Sequence, residues 1–511
     1  MNSGSRAVII GAGIGGLVAA IDLAIEGFDV TVLERSGKVG GKMGTVAIGA
    51  DILDAGPTVF TMRWVFDSIF ERAGASLESY VSLAPVDVLA RHAWNERSYL
   101  DLYADMARSS DAIGDLFGAA DARGYLQFCK RAQETYETLR DSYILSAKPT
   151  PLSLAAGAGL KGFGALWRIS PFTTLWNALG EYFQDQRLRQ LFGRYATYCG
   201  SSPFEAPATL MLISHVEREG VWLIDGGMHR LAEALMALAQ RHSVTFRFGA
   251  DVRQITVRGG RASGVTLASG EHIEADVVVT NGDVAALTQG LLGPEAKNSI
   301  KTSPGERSLS AVTWAMSAKA SGFPLKRHNV FFSSDYRAEF DQIFSKRQLP
   351  AQPTVYVCAQ DRDGTFEAQG SERIFALVNA PAIGDVHPFD ELEIQSCAKS
   401  VFELLRKCGL ELDVEPNRTV ITTPNEFAQR FPATGGSLYG RASHGWAASF
   451  ARPTAKTLLK GLYVAGGSAH PGAGVPMAAI SGQLAAAQIV SDTRLTRRFH
   501  PTVMPGGTST R

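Results

Sequence analysis

The chain has 511 residues, of which 45% are hydrophobic and 20% charged, and its 50 basic residues balance its 50 acidic ones. This length exceeds what one hydrophobic core usually supports, so we expect two interleaved domains with room for a large pocket. The zero net charge excludes nucleic-acid binding driven by bulk electrostatics, and the five cysteines lack the CxxC spacing of a metal site or a dithiol pair. Without a signal-peptide pattern or an apolar run long enough to span a bilayer, the protein is predicted to be cytoplasmic.

The first predicted elements form a dinucleotide-binding unit. Residues 7–10 are a short apolar run that predicts a strand, and Gly11, Gly13 and Gly16 follow with GxGxxG spacing. In this motif the glycines allow a tight turn, a close approach of backbone to pyrophosphate, and close packing of helix on strand. Apolar residues at helical spacing then predict a helix that ends at Gly27. The amino end of such a helix offers N–H groups and partial positive charge to a pyrophosphate.

A second predicted strand, residues 29–33, ends at Glu34, about twenty residues beyond the glycines. A carboxylate at this position accepts hydrogen bonds from ribose hydroxyls and repels the extra phosphate of NADP. The first fifty residues are predicted to bind a dinucleotide, because they contain the strand, glycines, helix, second strand and acid of such a site in the expected order and spacing. The glycine-rich passages SGKVGGKMGT and DAGPTVF that follow are predicted to wrap the cofactor.

The next part of the chain carries a more ambiguous pattern. Residues 61–149 predict amphipathic helices. Residues 150–183 are apolar, aromatic and poor in charge, and they leave two interpretations open. One is a buried helical hairpin. The other is a membrane-interface patch in which Trp167, Phe172 and Trp176 enter the headgroup region while basic residues stay in water.

From residue 220 onward the pattern predicts a return to the nucleotide-binding part. A strand and a GG turn lead into a helix at about Met228, and residues 242–283 alternate apolar and polar positions in short strands that predict a small sheet. Further strands are predicted at residues 309–316, 354–359 and 374–380, and a helix across residues 388–408. The last residues, from about 501, predict a disordered tail.

A second cofactor motif stands near the carboxyl terminus. GLYVAGGSAHPGAGVPM runs from Gly461 to Met477, more than four hundred residues beyond the first glycines. The two halves of one nucleotide site therefore lie at opposite ends of the sequence. This split favours FAD over NAD as the cofactor.

Together these motifs resemble those of the bacterial carotenoid desaturases of the phytoene desaturase type, within the glutathione reductase and amine oxidase flavoproteins. The resemblance covers the chain from about Arg6 to Ser491 and includes VIIGAGIGG, ERSGKVGGKMGT, DAGPTVF, ADVVVTNGD and HNVFFSSDYRAEF. TLMLISHVEREGVW, GGSLYGRASHGW and VAGGSAHPGAGVPM further resemble the branch of hydroxyneurosporene and methoxyneurosporene desaturases. Members of that branch introduce the 3,4 double bond of 1-hydroxycarotenoids.

The fold that the resemblance implies is of the α/β class. It has a glutathione-reductase-like, FAD-binding Rossmann domain assembled from discontinuous segments, and an α+β substrate domain. The FAD-binding domain is assigned to residues 1–60, 220–290 and 432–495, the substrate and membrane-facing domain to residues 61–219 and 291–431, and the tail to residues 496–511.

The resemblance also assigns residues to each part of FAD. Those near the amino terminus are Gly11, Gly13 and Gly16 at the pyrophosphate, Glu34 at the adenosine ribose, Gly41 and Lys42 at the phosphate side, and Gly56, Pro57 and Thr58 against the flavin. Those further along are Val252 at adenine through its backbone, Gly466 and Gly467 at the ribityl chain, and Val475, Pro476 and Met477 at the start of a helix facing the pyrimidine edge. The dipole of that helix would stabilise the negative charge of reduced flavin. Gly467 and Ser468 stand where many relatives have an acid, so the ribityl contact departs from the usual pattern.

The implied activity is FAD-dependent dehydrogenation of an acyclic carotenoid that is 1-hydroxylated or 1-methoxylated. A hydride would pass to the flavin while the conjugated chain spreads the positive charge, so the protein mainly positions the substrate and excludes water. His444 is the candidate proton acceptor, with a structural role between loops as the alternative. The implied partners are a lipophilic carotenoid, the surface of the inner or photosynthetic membrane, and oxygen or a quinone as electron acceptor; no metal is implied.

Three other functions remain open from the sequence. The chain could be a phytoene or neurosporene desaturase of the same family. It could be a flavin amine oxidase-like enzyme, which would hold a small polar substrate in an aromatic cage. It could also be a non-catalytic protein that binds FAD and a carotenoid.

Overall fold

The structure is a computed structural model that describes residues 4–150, 172–301, 305–363 and 370–499. Within these residues, strands from both ends of the chain meet in one five-stranded parallel sheet. The strand order across this sheet is Leu462–Val464, Val277–Thr280, Arg6–Ile10, Asp29–Glu34 and Thr245–Phe248. The predicted α/β fold, with a Rossmann-like part assembled from distant segments, is therefore confirmed.

Helices pack on one face of this sheet and the strands of a small antiparallel sheet pack on the other, which explains why its central strand is mainly apolar. Ala7, Val8 and Ile9 are each at most 2% exposed, as expected for a parallel strand that is buried on both faces. The first helix, Ile14–Ile25, packs directly on the last helix, Val475–Phe499. Both helices belong to the same hydrophobic core, so the two termini fold as one unit.

The antiparallel sheet that we predicted beside this unit is present. It consists of the strands Val252–Arg258, Arg261–Leu267 and His272–Glu274. The preceding helix, His229–Arg241, begins one residue after its predicted start. Val252 therefore opens the small sheet next to the nucleotide-binding core, where it is buried.

A second large sheet forms the centre of the other part of the molecule. Its eight strands are mostly antiparallel. They are Val88–Asn95, Ser98–Tyr103, Ser310–Ser321, His328–Phe331, Val355–Ala359, Glu372–Ala380, Glu411–Asp413 and Thr419–Thr422. The three strands predicted after residue 300 are confirmed to within a few residues, and the predicted helix is Glu391–Lys407.

The prediction of helices throughout residues 61–149 was wrong for part of this range. Helices Met106–Phe117 and Ala119–Leu139 do form, but the strands Val88–Asn95 and Ser98–Tyr103 precede them. Polar side chains at buried positions obscure the alternating pattern of these strands. The clearest example is Arg91, which is 8% exposed and donates from Nε to Asp101 Oδ1 at 2.6 Å.

The helix Arg63–Arg72 lies with the nucleotide-binding part, although the predicted boundary at residue 60 placed it in the other domain. Val65, Phe66 and Ile69 are fully buried in the core that the first and last helices share. The short strands Leu83–Pro85 and Trp222–Ile224 pair with each other. The other predicted domain boundaries remain a proposal.

The other described elements are short. The remaining strands are Thr45–Ile48 and Asp51–Asp54, and the remaining α-helices are Leu175–Leu179, Gln186–Gly193, Leu212–Arg218, Val284–Thr288, Pro294–Lys297, Tyr336–Phe340 and Pro424–Arg430. None of the helices in the described ranges is long and apolar enough to cross a membrane.

The contact between the first and last helices depends on glycine. A Cβ atom added to Gly482 would overlap the carbonyl oxygen of Gly15 and would lie 3.0 Å from the backbone nitrogen of Ala19. Backbone atoms of a packed helix cannot yield as a side chain does. Gly482 therefore sets the distance between the two helices.

We predict that Gly482→Leu destabilises the fold by about 1–3 kcal/mol or more, because the new side chain overpacks this contact. The measurement is the thermal unfolding midpoint of the FAD-loaded protein. Ala487→Leu is the matched control, since Ala487 lies on the same helix and is exposed. Equal midpoints for the two variants would contradict the prediction.

Candidate flavin and substrate site

The first glycine turn has the geometry that its spacing predicts. Gly11 has a φ of +96° and its N–H donates to the carbonyl oxygen of Leu33 at 2.8 Å. A Cβ on Gly16 would overlap the carbonyl oxygen of Gly11, so the third glycine permits the helix to pack on the turn. No described side chain caps the helix that follows Gly13. Its first N–H groups are thus available to an anion.

Glu34 lies beside this turn at the end of its strand. One oxygen of its carboxylate accepts the N–H of Ala12 and the other that of Ser36, both at 2.8 Å. The backbone of Glu34 also accepts the N–H of Ala250, two residues before Val252. Glu34 and Val252 therefore lie on neighbouring elements, an arrangement that fits their predicted places at the ribose and at adenine.

The second glycine passage packs against the first. Gly40 donates its N–H to the carbonyl oxygen of Ala12 at 2.9 Å, and a Cβ on Gly41 would lie 3.3 Å from Gly13 Cα. A Cβ on Gly56 would overlap the carbonyl oxygen of Lys42. Glycine at these positions therefore lets the two passages approach each other closely.

The described contacts of Lys42 are with backbone carbonyl groups, and its place at the phosphate side of FAD stays a prediction. Its Nζ donates to the carbonyl oxygens of Leu438 at 2.7 Å and Ser437 at 3.3 Å. Burial lowers the pKa of this ammonium group. The described contacts of Lys42 thus join the second glycine passage to a loop of the carboxyl-terminal third.

Asn281 is a central residue that the sequence reasoning missed. Its Nδ2 donates to the carbonyl oxygen of Gly11 at 3.3 Å. A Cβ on Gly13 would lie 2.7 Å from Nδ2, and a Cβ on Gly466 would lie 2.7 Å from Oδ1. One amide therefore bridges the two ends of the chain. The sequence signal that could have pointed to Asn281 is its position as a polar residue directly after the buried strand in ADVVVTNGD.

The carboxyl-terminal motif completes the same region. Gly466 has a φ of +104° and its N–H donates to Ser481 Oγ at 3.1 Å. The carbonyl oxygen of Gly467 accepts a hydrogen bond from Arg452 Nη1 at 2.9 Å. The last helix begins at Val475, as predicted.

A cavity of about 760 Å³ adjoins these segments. Residues 56–58 and 474–477 line it, so the structure brings together the two passages assigned to the flavin ring. Many of its other walls are apolar, including Leu139, Ile144 and Ile213. Phe172 and Trp446 also line it, and they are 71% and 44% exposed, which makes them part of its entrance.

A chain of neutral polar groups stands at the flavin end of the cavity. Thr58 Oγ1 lies 2.6 Å from Tyr356 OH, which lies 2.7 Å from His328 Nδ1. Burial, with a smaller contribution from the charge of Arg327, lowers the pKa of His328 to about 3. His328 is therefore neutral near pH 7.

His444 is not among the residues that line this cavity. Its Nε2 accepts the N–H of Ser202 at 3.0 Å, and its Nδ1 lies 2.7 Å from a carboxylate oxygen of Glu306 and 3.1 Å from one of Glu205. Both ring nitrogens have partners on other loops. These contacts support the structural alternative rather than the role of proton acceptor.

Taken as a whole, the site fits FAD. It offers two helix amino ends, glycine turns with open backbone, and an anchored carboxylate at the end of the second strand. These features define a FAD-dependent oxidoreductase whose flavin site is assembled from both ends of the chain. Comparison with known proteins identifies the particular family.

The family of flavin-containing amine oxidoreductases matches residues 14–490. The chain is 52% identical to the hydroxyneurosporene desaturase of Rubrivivax gelatinosus, across 99% of this chain and 97% of that protein. It is 45% identical to the hydroxyneurosporene desaturase of Cereibacter sphaeroides, across 95% and 98%. The chain belongs to the flavin-containing amine oxidoreductase family and, within it, to the carotenoid desaturases.

A solved oxidoreductase from Methanosarcina mazei has the same fold. Its TM-score is 0.60 at 16% identity, with 95% of this chain and 100% of that chain covered. This likeness supports the architecture alone.

We predict that Glu34→Arg lowers FAD affinity, because a cation replaces the acceptor of the ribose hydroxyls and frees the N–H of Ala12. The expected result is a loss of most bound flavin, measured as the ratio of flavin to protein absorbance after purification. Asp29→Arg is the matched control, since Asp29 is an exposed acid at the other end of the same strand. Normal flavin content in Glu34→Arg would contradict the assignment.

Proposed function

We propose that this carotenoid desaturase introduces the 3,4 double bond into an acyclic carotenoid that carries a hydroxyl or methoxy group at C1. The observation that carries the proposal is the large cavity with apolar walls beside the segments assigned to the flavin ring. A polyene is long and apolar, so its burial there is favourable by the hydrophobic effect. The relatedness to hydroxyneurosporene desaturases supports the same substrate class.

The amine oxidase-like alternative fits the cavity less well. A small amine needs a compact polar or aromatic cage, whereas apolar side chains from several elements line this cavity. Leu139 comes from one helix, Ile213 and Val216 from another, and Leu377 from the large sheet. Such walls hold a rod of hydrocarbon better than a small cation.

Bound FAD supplies the acceptor for the hydride that leaves the substrate. The role of the chain is then to hold the reacting carbons in place and to keep water away. The apolar walls exclude water from the polyene. At the flavin end, Tyr356 fixes the hydroxyl of Thr58, and His328 remains neutral, so this hydrogen-bonded chain adds no positive charge near a substrate that becomes cationic.

We predict that anaerobic mixing of the FAD-loaded protein with 1-hydroxyneurosporene bleaches the flavin absorbance, with one desaturated product formed per flavin reduced. Putrescine is the control, and it should leave the flavin oxidised. Oxygen and a quinone, added afterwards, test the two proposed electron acceptors by the return of absorbance. A flavin that stays oxidised with the carotenoid would indicate a non-catalytic binding protein.

We also propose that the protein binds peripherally to the cytoplasmic surface of a membrane through the entrance of the cavity. A carotenoid is dissolved in lipid, so an entrance that contacts the bilayer shortens its path. The rings of Phe172 and Trp446 are 5.4 Å apart between centroids, and both are exposed at the entrance. Exposed aromatic residues of this kind favour the membrane interface.

Only part of the interfacial patch predicted from the sequence supports this proposal. Trp176 is half-buried instead, because it packs on Phe204 and Tyr336 at centroid distances of 4.7 and 6.2 Å. Trp167 and the rest of residues 151–171 lie outside the described residues.

We predict that the double variant Phe172→Asp/Trp446→Asp floats less with liposomes than the native protein, because two charges replace apolar rings at the bilayer contact. The measurement is the fraction of protein recovered in the lipid layer after density centrifugation. Leu392→Asp is the control, since Leu392 is 75% exposed but does not line the cavity. Unchanged flotation of the double variant would refute the proposed contact.

A further inference from the structure

A polar cluster interrupts the apolar lining of the cavity. Arg194, Tyr198 and Glu217 all contribute to the lining. Tyr198 OH donates to Glu217 Oε1 at 2.5 Å, and Tyr195 OH donates to Oε2 at 2.7 Å. Arg194 Nη2 donates to the oxygen of Tyr198 at 3.2 Å. Glu217 is only 8% exposed and Tyr195 is buried, whereas Arg194 and Tyr198 are half-buried and line the cavity.

The guanidinium group of Arg194 has unused donors. A guanidinium carries five N–H groups, and within the described part of the chain the side chain of Arg194 makes one hydrogen bond, to Tyr198. Its Nε is buried and lacks a partner among the described residues. Burial by itself lowers the pKa of Arg194, but Tyr198, Glu217 and Tyr195 raise it overall, so the group stays charged. A cation with free donors at the wall of a mainly apolar cavity is costly unless a ligand satisfies those donors.

The cluster lies toward the flavin end of the cavity. Gly200, two residues beyond Tyr198, packs against the ring of Tyr439, whose carbonyl oxygen accepts a hydrogen bond from Arg452 Nη2 at 3.1 Å. Arg452 Nη1 also donates to the carbonyl oxygen of Gly467, which is assigned to the ribityl chain of the flavin. The cluster is therefore close to the place where the substrate reacts. The exposed aromatic entrance contains none of these groups.

We propose that Arg194 and Tyr198, positioned by Glu217, bind the oxygen atom on C1 of the carotenoid end group. The proposal rests on the proposed function and names the residues that select its substrate. C1 is only a few bonds from C3 and C4, so an anchor for its oxygen must stand close to the flavin. The position of the cluster meets this requirement.

The hydrogen-bonding capacity of the cluster matches a hydroxyl group. Arg194 donates an N–H to the substrate oxygen. The hydroxyl hydrogen is donated to the free lone pair of Tyr198, whose own hydrogen is held by Glu217. A methoxy oxygen can accept from Arg194 but has no hydrogen to donate. An end group without oxygen leaves these donors unpaired. A site of this kind therefore discriminates strongly against such a substrate.

The test compares Tyr198→Phe with Tyr195→Phe. Each variant removes one tyrosine hydroxyl that donates to the carboxylate of Glu217, but only Tyr198 lines the cavity. The substrates are 1-hydroxyneurosporene and 1,2-dihydroneurosporene, which lacks only the hydroxyl group, both supplied in liposomes. We expect the native protein to prefer the hydroxylated substrate. In Tyr198→Phe this preference should fall about tenfold, chiefly through a higher KM, whereas Tyr195→Phe should keep the native preference.

A second variant tests the cation. Arg194→Gln should lose the preference for 1-hydroxyneurosporene over 1,2-dihydroneurosporene, and also that for the 1-methoxy derivative, because Arg194 is the donor to either oxygen. The absorbance spectrum of bound flavin confirms that each variant is folded. Native preference in both Tyr198→Phe and Arg194→Gln would overturn the proposal. A native protein that desaturates neither substrate would instead overturn the proposed function.

Discussion

The backbone contact between the first and last helices holds the cofactor site together. Gly15 and Gly482 let these helices approach so closely that added side chains would overlap backbone atoms, and Asn281 bridges the two glycine turns beside them. Each half of the flavin site is a loop that leads into a helix, and neither half alone surrounds a cofactor. Their position relative to each other is thus fixed by close packing, which tolerates little change of volume.

The electrostatics of the cavity follow from its burial. Arg194, Glu217 and Arg452 are its charged lining residues among those that the structure describes. The guanidinium of Arg194 lies in one network with the carboxylate of Glu217, and that of Arg452 donates to the backbone carbonyl oxygens of Gly467 and Tyr439. His328 is kept neutral because burial disfavours its charged form. A substrate that develops positive charge is sensitive to a nearby unbalanced cation. The carboxylate of Glu217 therefore lessens the effect that the cation of Arg194 has on such a substrate.

Some site residues were predictable because their role depends on local backbone geometry. The turn at Gly11, the carboxylate of Glu34 at a strand end and the helix start at Val475 all stand where their motifs predict. Lys42 and His444 were less predictable, since their partners belong to loops hundreds of residues away. The strand Val88–Asn95 was missed because a buried ion pair hides its alternation.

The sequence by itself determined the class of fold, the cofactor and the family, because glycine spacing and the period of apolar residues act over short distances along the chain. Only the tertiary structure decided which distant groups meet: the amide of Asn281 between both termini, the packing of Trp176 in the protein, and the cluster of Arg194, Tyr198 and Glu217 in an apolar cavity. Such contacts depend on how separate elements pack in three dimensions. No local pattern along the chain records that packing.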